Sequence, residues 1–161
     1  MEKTFRELSE SASKLRDQLM ELRLTVVEDK PRSPGGPVVD KLEYAVEELL
    51  GWLLELAAAA LEAERAVRGP ANLDQARRAL ANSQERYQRM QRCFLASLAS
   101  YEQLKELDRF SAMRRGEWPA WAKTVKQGID QCRGPLEEVG RAQAECWQEL
   151  TEEDVPPVVE G

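Results

Sequence analysis

The sequence contains no histidine. Imidazole is the side chain that most often serves as a general base, proton shuttle or neutral metal ligand near pH 7. Its absence excludes histidine phosphotransfer, His-ligated haem, Ser-His and Cys-His nucleophilic catalysis, and the Glu-x-x-His metal motif of ferritin-like bundles. We therefore expect no enzyme of these classes, and the sequence predicts no catalytic residue, metal site or cofactor.

Cysteine is scarce, with three residues and no Cys-x-x-Cys pair. Cys132 and Cys146 fall within one predicted helix, where they would lie about 21 Å apart, far beyond the reach of a disulfide. Both occupy apolar positions of that helix, as buried structural cysteines do. We therefore expect reduced thiols, which suits a cytoplasmic protein better than a secreted one.

Long apolar runs are also missing. The longest, residues 49–61, is interrupted by Glu55 and is too short to span a bilayer. The first residues alternate charged and apolar side chains, without the apolar core of a signal peptide. The segment 33–37, rich in Pro and Gly, lacks the lysine and the preceding strand of a phosphate-binding loop. These features predict a cytoplasmic chain with no membrane span.

What the chain does contain is a composition that favours helices, rich in Ala, Leu, Glu, Gln and Arg. Small and apolar residues recur at spacings of three and four in four stretches, the pattern of a buried helix face. We call each series a seam. No seam contains Asp or Glu, which argues against a carboxylate metal centre in the core. The seam positions are Phe5, Leu8, Ala12, Leu15, Leu19, Leu22 and Val26; Leu42, Val46, Leu49, Leu53, Leu56, Ala60, Ala63 and Val67; Leu73, Ala76, Leu80, Ser83, Tyr87, Met90, Phe94, Ser97, Tyr101 and Leu104; and Trp118, Ala122, Val125, Ile129, Cys132, Leu136, Val139, Gln143, Cys146 and Leu150.

Proline and glycine mark the ends of these stretches. Three prolines and two glycines within 29–37 cannot continue a helix. Gly69 and Pro70 end the second stretch, and Pro119 suits the first turn of the fourth. The predicted helices are about 4–28, 39–68, 72–108 and 119–150, followed by a mobile tail at 151–161.

Residues 1–150 are predicted to form a single all-α domain. Helices of this length pack most simply as an antiparallel up-down-up-down four-helix bundle. A long helical hairpin that dimerises into a bundle is the competing arrangement. Gly134 and Pro135 lie inside the fourth helix, where we expect a kink or a break because proline removes a backbone hydrogen bond. The polar seam residues Ser83, Ser97 and Gln143 are interpreted as contacts that set the register.

The second helix has more apolar surface than one seam requires. Beside its seam it carries Leu50, Leu54, Ala57 and Leu61, with Trp52 nearby. A bundle helix usually buries a face a little over 100° wide, so the excess predicts contact with another helix, another subunit or a ligand. Alternatively, these residues lie on the flank of the same core.

The third helix is basic, although the whole chain carries a formal charge of −6. Arg78, Arg86, Arg89 and Arg92 recur at roughly helical spacing and could bind an acidic partner. They could instead pair with the acidic flanks of neighbouring helices and so fix the order of the bundle. The acidic net charge argues against nucleic-acid binding.

Trp118 lies just before the predicted fourth helix, and Trp121 lies in its first turn. Both follow Arg114 and Arg115, and a cluster of tryptophan and arginine is found in interface hot spots. A structural role is the simpler interpretation, with one tryptophan closing the end of the bundle and the other covering the loop.

These observations favour a non-catalytic bundle that acts in protein–protein interaction or self-assembly through the apolar face of the second helix. The alternative is a bundle that binds an apolar small molecule or lipid. The candidate interface residues are Leu50, Trp52, Leu54, Leu61, Arg86, Arg89, Trp118 and Trp121.

Overall fold

The computed structural model describes residues 2–28, 36–68, 72–110 and 118–152, and these ranges contain four long helices and no strand. The prediction of an all-α four-helix protein is confirmed. The connections between the helices and the last nine residues lie outside the described ranges, while Thr151 and Glu152 of the predicted tail still belong to the last helix. The helices are α1 (Glu2–Arg23), α2 (Gly36–Arg68), α3 (Leu73–Phe110) and α4 (Trp118–Glu152).

The four seams form one hydrophobic core. Every seam residue whose side chain the structure describes is buried or half-buried, because the repeat of three and four keeps it on the inner side of its helix. Burial of this apolar surface is the main favourable term in folding. The half-buried members are Val67, Leu73, Tyr87, Tyr101 and Ala122.

Each helix contacts two neighbours. Across the described residues α1 packs on α2 and α4, and α3 packs on α2 and α4, with the most extensive contact between α2 and α3. Among the described residues, no Cα atom of α1 lies within 8 Å of one in α3, and none of α2 lies within 8 Å of one in α4. The helices therefore surround the core in chain order.

Cross-helix contacts pair residues in reverse order along the chain. Near the start of α1, the Thr4 hydroxyl donates to Glu149 Oε1 at the end of α4, at 2.6 Å. At the other end of the bundle, Trp121 Nε1 donates to the Thr25 carbonyl at 2.7 Å. Reverse pairing is the pattern that antiparallel neighbours produce.

The first helix ends in a π-helical turn, Leu24–Glu28. The Thr25 hydroxyl donates to the Glu21 carbonyl at 3.2 Å, so a side chain supplies a hydrogen bond within this irregular turn. The Thr25 carbonyl in turn accepts from Trp121, which is only 5% exposed. The turn is thus attached to the first residues of α4.

The fourth helix is continuous from Trp118 to Glu152, with Pro135 inside it. The break expected at Gly134 and Pro135 does not occur, because the neighbouring turns hold the helical conformation on both sides of the proline. A bend at this position stays a prediction.

Candidate interaction face

The extra apolar stripe predicted on the second helix divides into a covered part and an open part. Leu50 is half-buried and packs against the core, whereas Leu54 is 53% exposed and Leu61 is 45% exposed. Ala57, between them on the same side of α2, is also exposed. This flank of α2 therefore presents apolar surface outside the core.

A narrow groove runs between this flank and α1. On its α1 side it is lined by Ser9, Ser13 and Arg16, and on its α2 side by Leu54 and Leu61. Its cavity volume is about 100 Å³. Core side chains form its floor, namely Phe5, Leu8, Ala12, Leu53 and Ala60.

The apolar surface continues along α1. Met20 follows Arg16 by four residues, and Leu24, the first residue of the π-helical turn, follows Met20 by four, so both continue the side of α1 that borders the groove. Met20 is 45% exposed and Leu24 is 46% exposed. Arg23, the neighbour of Leu24, reaches Glu47 of α2 at 3.5 Å, so α1 and α2 also contact each other near this end of α1.

Four of the six exposed large apolar side chains among the described residues thus lie on one side of the molecule. The other two, Tyr44 and Leu95, lie elsewhere on α2 and on α3. We call this side the α1–α2 face; its members are Ser9, Ser13, Arg16, Met20, Leu24, Leu50, Leu54, Ala57 and Leu61.

The structure brings three further predicted interface residues together on the opposite flank of α2, which packs on α3. The guanidinium of Arg89 lies 4.6 Å from the centre of the Trp52 ring, and that of Arg86 lies 5.7 Å from it. Arg86 also reaches Glu55 of α2 at 3.5 Å. Each cation–π contact of this kind is worth on the order of 0.5–1 kcal/mol at an exposed site. These contacts support the interpretation of these arginines as links between helices.

Trp121 lies in the core and donates a hydrogen bond to the Thr25 carbonyl, which supports the structural interpretation of this residue. The side chain of Trp118 lies outside the described part of the structure, so its predicted role stays a prediction.

Polar contacts inside the core join α3 to α4. Gln143 Nε2 donates to the Leu80 carbonyl at 2.9 Å, and the Ser83 hydroxyl donates to Gln143 Oε1. All three residues are buried. A buried amide bonded on both sides is stable in only one alignment of the two helices, as expected for a contact that sets the register.

A second contact between α3 and α4 was not predicted. The Tyr87 hydroxyl donates to the Leu136 carbonyl at 3.1 Å, and the Tyr87 ring lies directly over Gly140. A Cβ atom at position 140 would overlap that ring. The signal in the sequence was a glycine inside an otherwise strong helix, which often marks a close approach.

The three cysteines are free and buried. Burial raises the pKa of the Cys132 and Cys146 thiols to about 12, with smaller contributions from nearby glutamates. Burial, followed by the charge of Glu48, also raises the pKa of Cys93. At neutral pH all three thiols are protonated, which does not suit them as nucleophiles.

An open cleft on the α2–α3 side has a volume of about 370 Å³, and its lining includes Lys41, Tyr44, Glu48, Arg92 and Cys93. The Tyr44 hydroxyl donates to Glu48 Oε1 at 3.0 Å, and this hydrogen bond is the main cause of the raised pKa of Tyr44. The phenol is therefore protonated at neutral pH, and no described base is placed to remove its proton apart from Glu48.

Among the described residues, no three Cys, Asp or Glu side chains are grouped so as to hold a metal ion. Within the same residues, no helix combines the length and the apolar character needed to cross a bilayer. Comparison with protein-family models and with curated proteins found no match to this chain.

Proposed function

We propose that this protein is a non-catalytic interaction protein that binds an amphipathic helix on its α1–α2 face. The observation that carries the proposal is the clustering of Met20, Leu24, Leu54 and Leu61 on that face, while the described surface elsewhere exposes few large apolar side chains. A patch of this kind, with polar and charged neighbours, is typical of an interaction site.

The shape of the groove favours a helix over a small ligand. Pockets for small molecules usually have volumes of about 300–1,000 Å³. The groove between α1 and α2 has about 100 Å³, which is space for one or two side chains. A helix that places single apolar side chains into such spaces is the knobs-into-holes arrangement of helical bundles.

Covering the α1–α2 face would contribute a favourable free energy of binding. Leu54 and Leu61 each keep about half of their surface in water. Removing that surface from water contributes on the order of 1 kcal/mol per leucine. Several such contacts support a specific complex, provided that polar rim groups stay solvated or paired.

The test is to place charge on the face. The double substitution Leu54→Glu and Leu61→Glu changes two side chains that lie outside the core, since each is about half exposed. We expect unchanged helical content by circular dichroism. We also expect loss of association, measured as molar mass by light scattering and as partners captured from a native extract.

The matched control is Leu95→Glu, because Leu95 is 63% exposed and lies on α3, outside the face. This control should associate as the wild type does. The proposal fails if the double variant keeps both the molar mass and the captured partners of the wild type.

A further inference from the structure

The outward side of α2 has a graded charge pattern. Residues at spacings of three and four place two glutamates first, apolar residues in the middle and two arginines last. We call this series the outer stripe of α2. It consists of Glu43, Glu47, Leu50, Leu54, Ala57, Leu61, Arg65 and Arg68, of which Glu43 and Leu50 are half-buried.

The stripe is accessible in its middle and at both ends. Glu47 and Arg65 are exposed, as are Leu54 and Leu61. Glu47 makes an ion pair with Arg23 of α1 at 3.5 Å and still keeps 46% of its side chain in solvent. At the other end, Arg68 makes an ion pair with Glu64 of its own helix at 2.8 Å. The stripe therefore offers Glu47 at its acidic end, an apolar centre, and Arg65 at its basic end.

The charges along the outer stripe are complementary to those of a second stripe that runs in the opposite direction. Positions 47 and 65, 50 and 61, and 54 and 57 share nearly the same midpoint on the helix. When two copies of α2 lie antiparallel about that midpoint, Glu47 of each copy lies opposite Arg65 of the other. The leucines then meet in the centre. A parallel alignment would instead place glutamates against glutamates and arginines against arginines.

We propose that the occupant of the α1–α2 face is a second copy of this chain, joined by antiparallel packing of the two α2 helices about a two-fold axis. This inference rests on the proposed function and names its partner. A two-fold interface uses the same patch on both subunits, and a patch that is complementary to its own reverse is what such an interface requires.

The α1 part of the face fits this arrangement. The ion pair of Arg23 with Glu47 places Leu24 and Met20 beside the acidic end of the stripe. In the antiparallel pair, that end lies next to Leu61 of the second copy. Met20 and Leu24 therefore extend the apolar centre over the second subunit, and the groove beside Leu54 receives a side chain from it.

The experiment is a charge reversal with rescue, read as molar mass by sedimentation equilibrium up to millimolar protein. The wild type should have twice the mass of one chain. Glu47→Arg places two arginines together at each end of the interface, and Arg65→Glu places two glutamates together, so each should weaken dimerisation at least tenfold. The double variant restores opposite charges across the interface, although Arg23 still lacks Glu47, and should recover most of the lost dimerisation.

A matched control is Glu102→Arg, which makes the same change of charge at an exposed site on α3. It should dimerise as the wild type does. Circular dichroism on each variant shows that the bundle is folded.

Three results would overturn the inference: a wild type that stays monomeric, single reversals that do not weaken the dimer, or a double variant that does not recover it. If the wild type is monomeric but substitution of Leu54 and Leu61 by glutamate still removes a captured helical partner, the second copy is the wrong partner and the proposed function stands. If those substitutions change neither mass nor capture, both proposals fail.

Discussion

At the scale of single residues, two glycines show how the absence of a side chain has different consequences in two helices. Gly140 of α4 lies under the ring of Tyr87, and this close approach lets the Tyr87 hydroxyl reach the Leu136 carbonyl. Gly51 of α2 is exposed, and a Cβ atom added there would meet nothing within 4 Å. The first glycine is required by packing, whereas the second only weakens its helix.

Alanine at these two positions should change stability in opposite directions. Gly140→Ala forces the Tyr87 ring to move and should lower the free energy of unfolding by about 1–3 kcal/mol. Gly51→Ala should raise it by about 0.5–1 kcal/mol, because alanine is the better helix former. Urea unfolding followed by circular dichroism at one low protein concentration measures both. Equal effects of the two substitutions would show that Tyr87 does not constrain position 140.

At the scale of helices, polar contacts specify how α3 and α4 align. The apolar seams alone would tolerate a shift along the helix axes, since most seam positions carry interchangeable aliphatic side chains. Gln143 tolerates no such shift, because it is buried and bonded to Ser83 and to the Leu80 carbonyl. On the other side of α4, the hydrogen bond from Trp121 to Thr25 fixes the end of α1.

The pair formed by Ser83 and Gln143 should show strong coupling in a double-mutant cycle. Gln143→Leu leaves the Ser83 hydroxyl without its acceptor, and Ser83→Ala leaves Gln143 Oε1 without its donor, so each should cost about 1–3 kcal/mol. The double variant should cost less than the sum, by about 0.5–3 kcal/mol, since both polar groups are then removed. Chemical unfolding of the wild type, the two single variants and the double variant measures this coupling free energy. Strict additivity would mean that the two side chains act independently.

At the scale of the whole molecule, the stability of the bundle depends on proton binding by its buried thiols. In the folded state the pKa values of Cys132 and Cys146 are raised from 9.0 to about 12, chiefly by burial. Between these values the folded chain binds more protons than the unfolded chain, so unfolding releases protons. The stabilisation is complete below about pH 9 and is lost as the pH rises toward 12.

We therefore expect the free energy of unfolding to fall between pH 9 and pH 12. Cys132→Val keeps a buried side chain of similar size without a titrating group. Its stability should fall less steeply with pH over the same interval. Urea unfolding at a series of pH values measures the two slopes. Identical slopes would contradict a contribution from Cys132.

The periodicity of the sequence predicted the number of helices and the side of each that is buried. Both are local properties, because the repeat of 3.6 residues places Leu8, Leu15 and Leu22 on one side of α1 whatever its neighbours are. The same periodicity indicated that Cys132 and Cys146 are buried, since their positions belong to an apolar seam.

Tertiary structure alone decided what covers each flank of α2. The sequence assigned Trp52 and Leu54 to the same extra apolar surface of α2. In the structure, Arg86 and Arg89 of α3 cover Trp52, whereas Leu54 stays exposed beside α1. The close approach of Tyr87 to Gly140 was likewise invisible in the periodicity. The physical reason is the same in both cases: local periodicity determines which way a side chain faces, whereas the order and spacing of helices around the core determine what it meets.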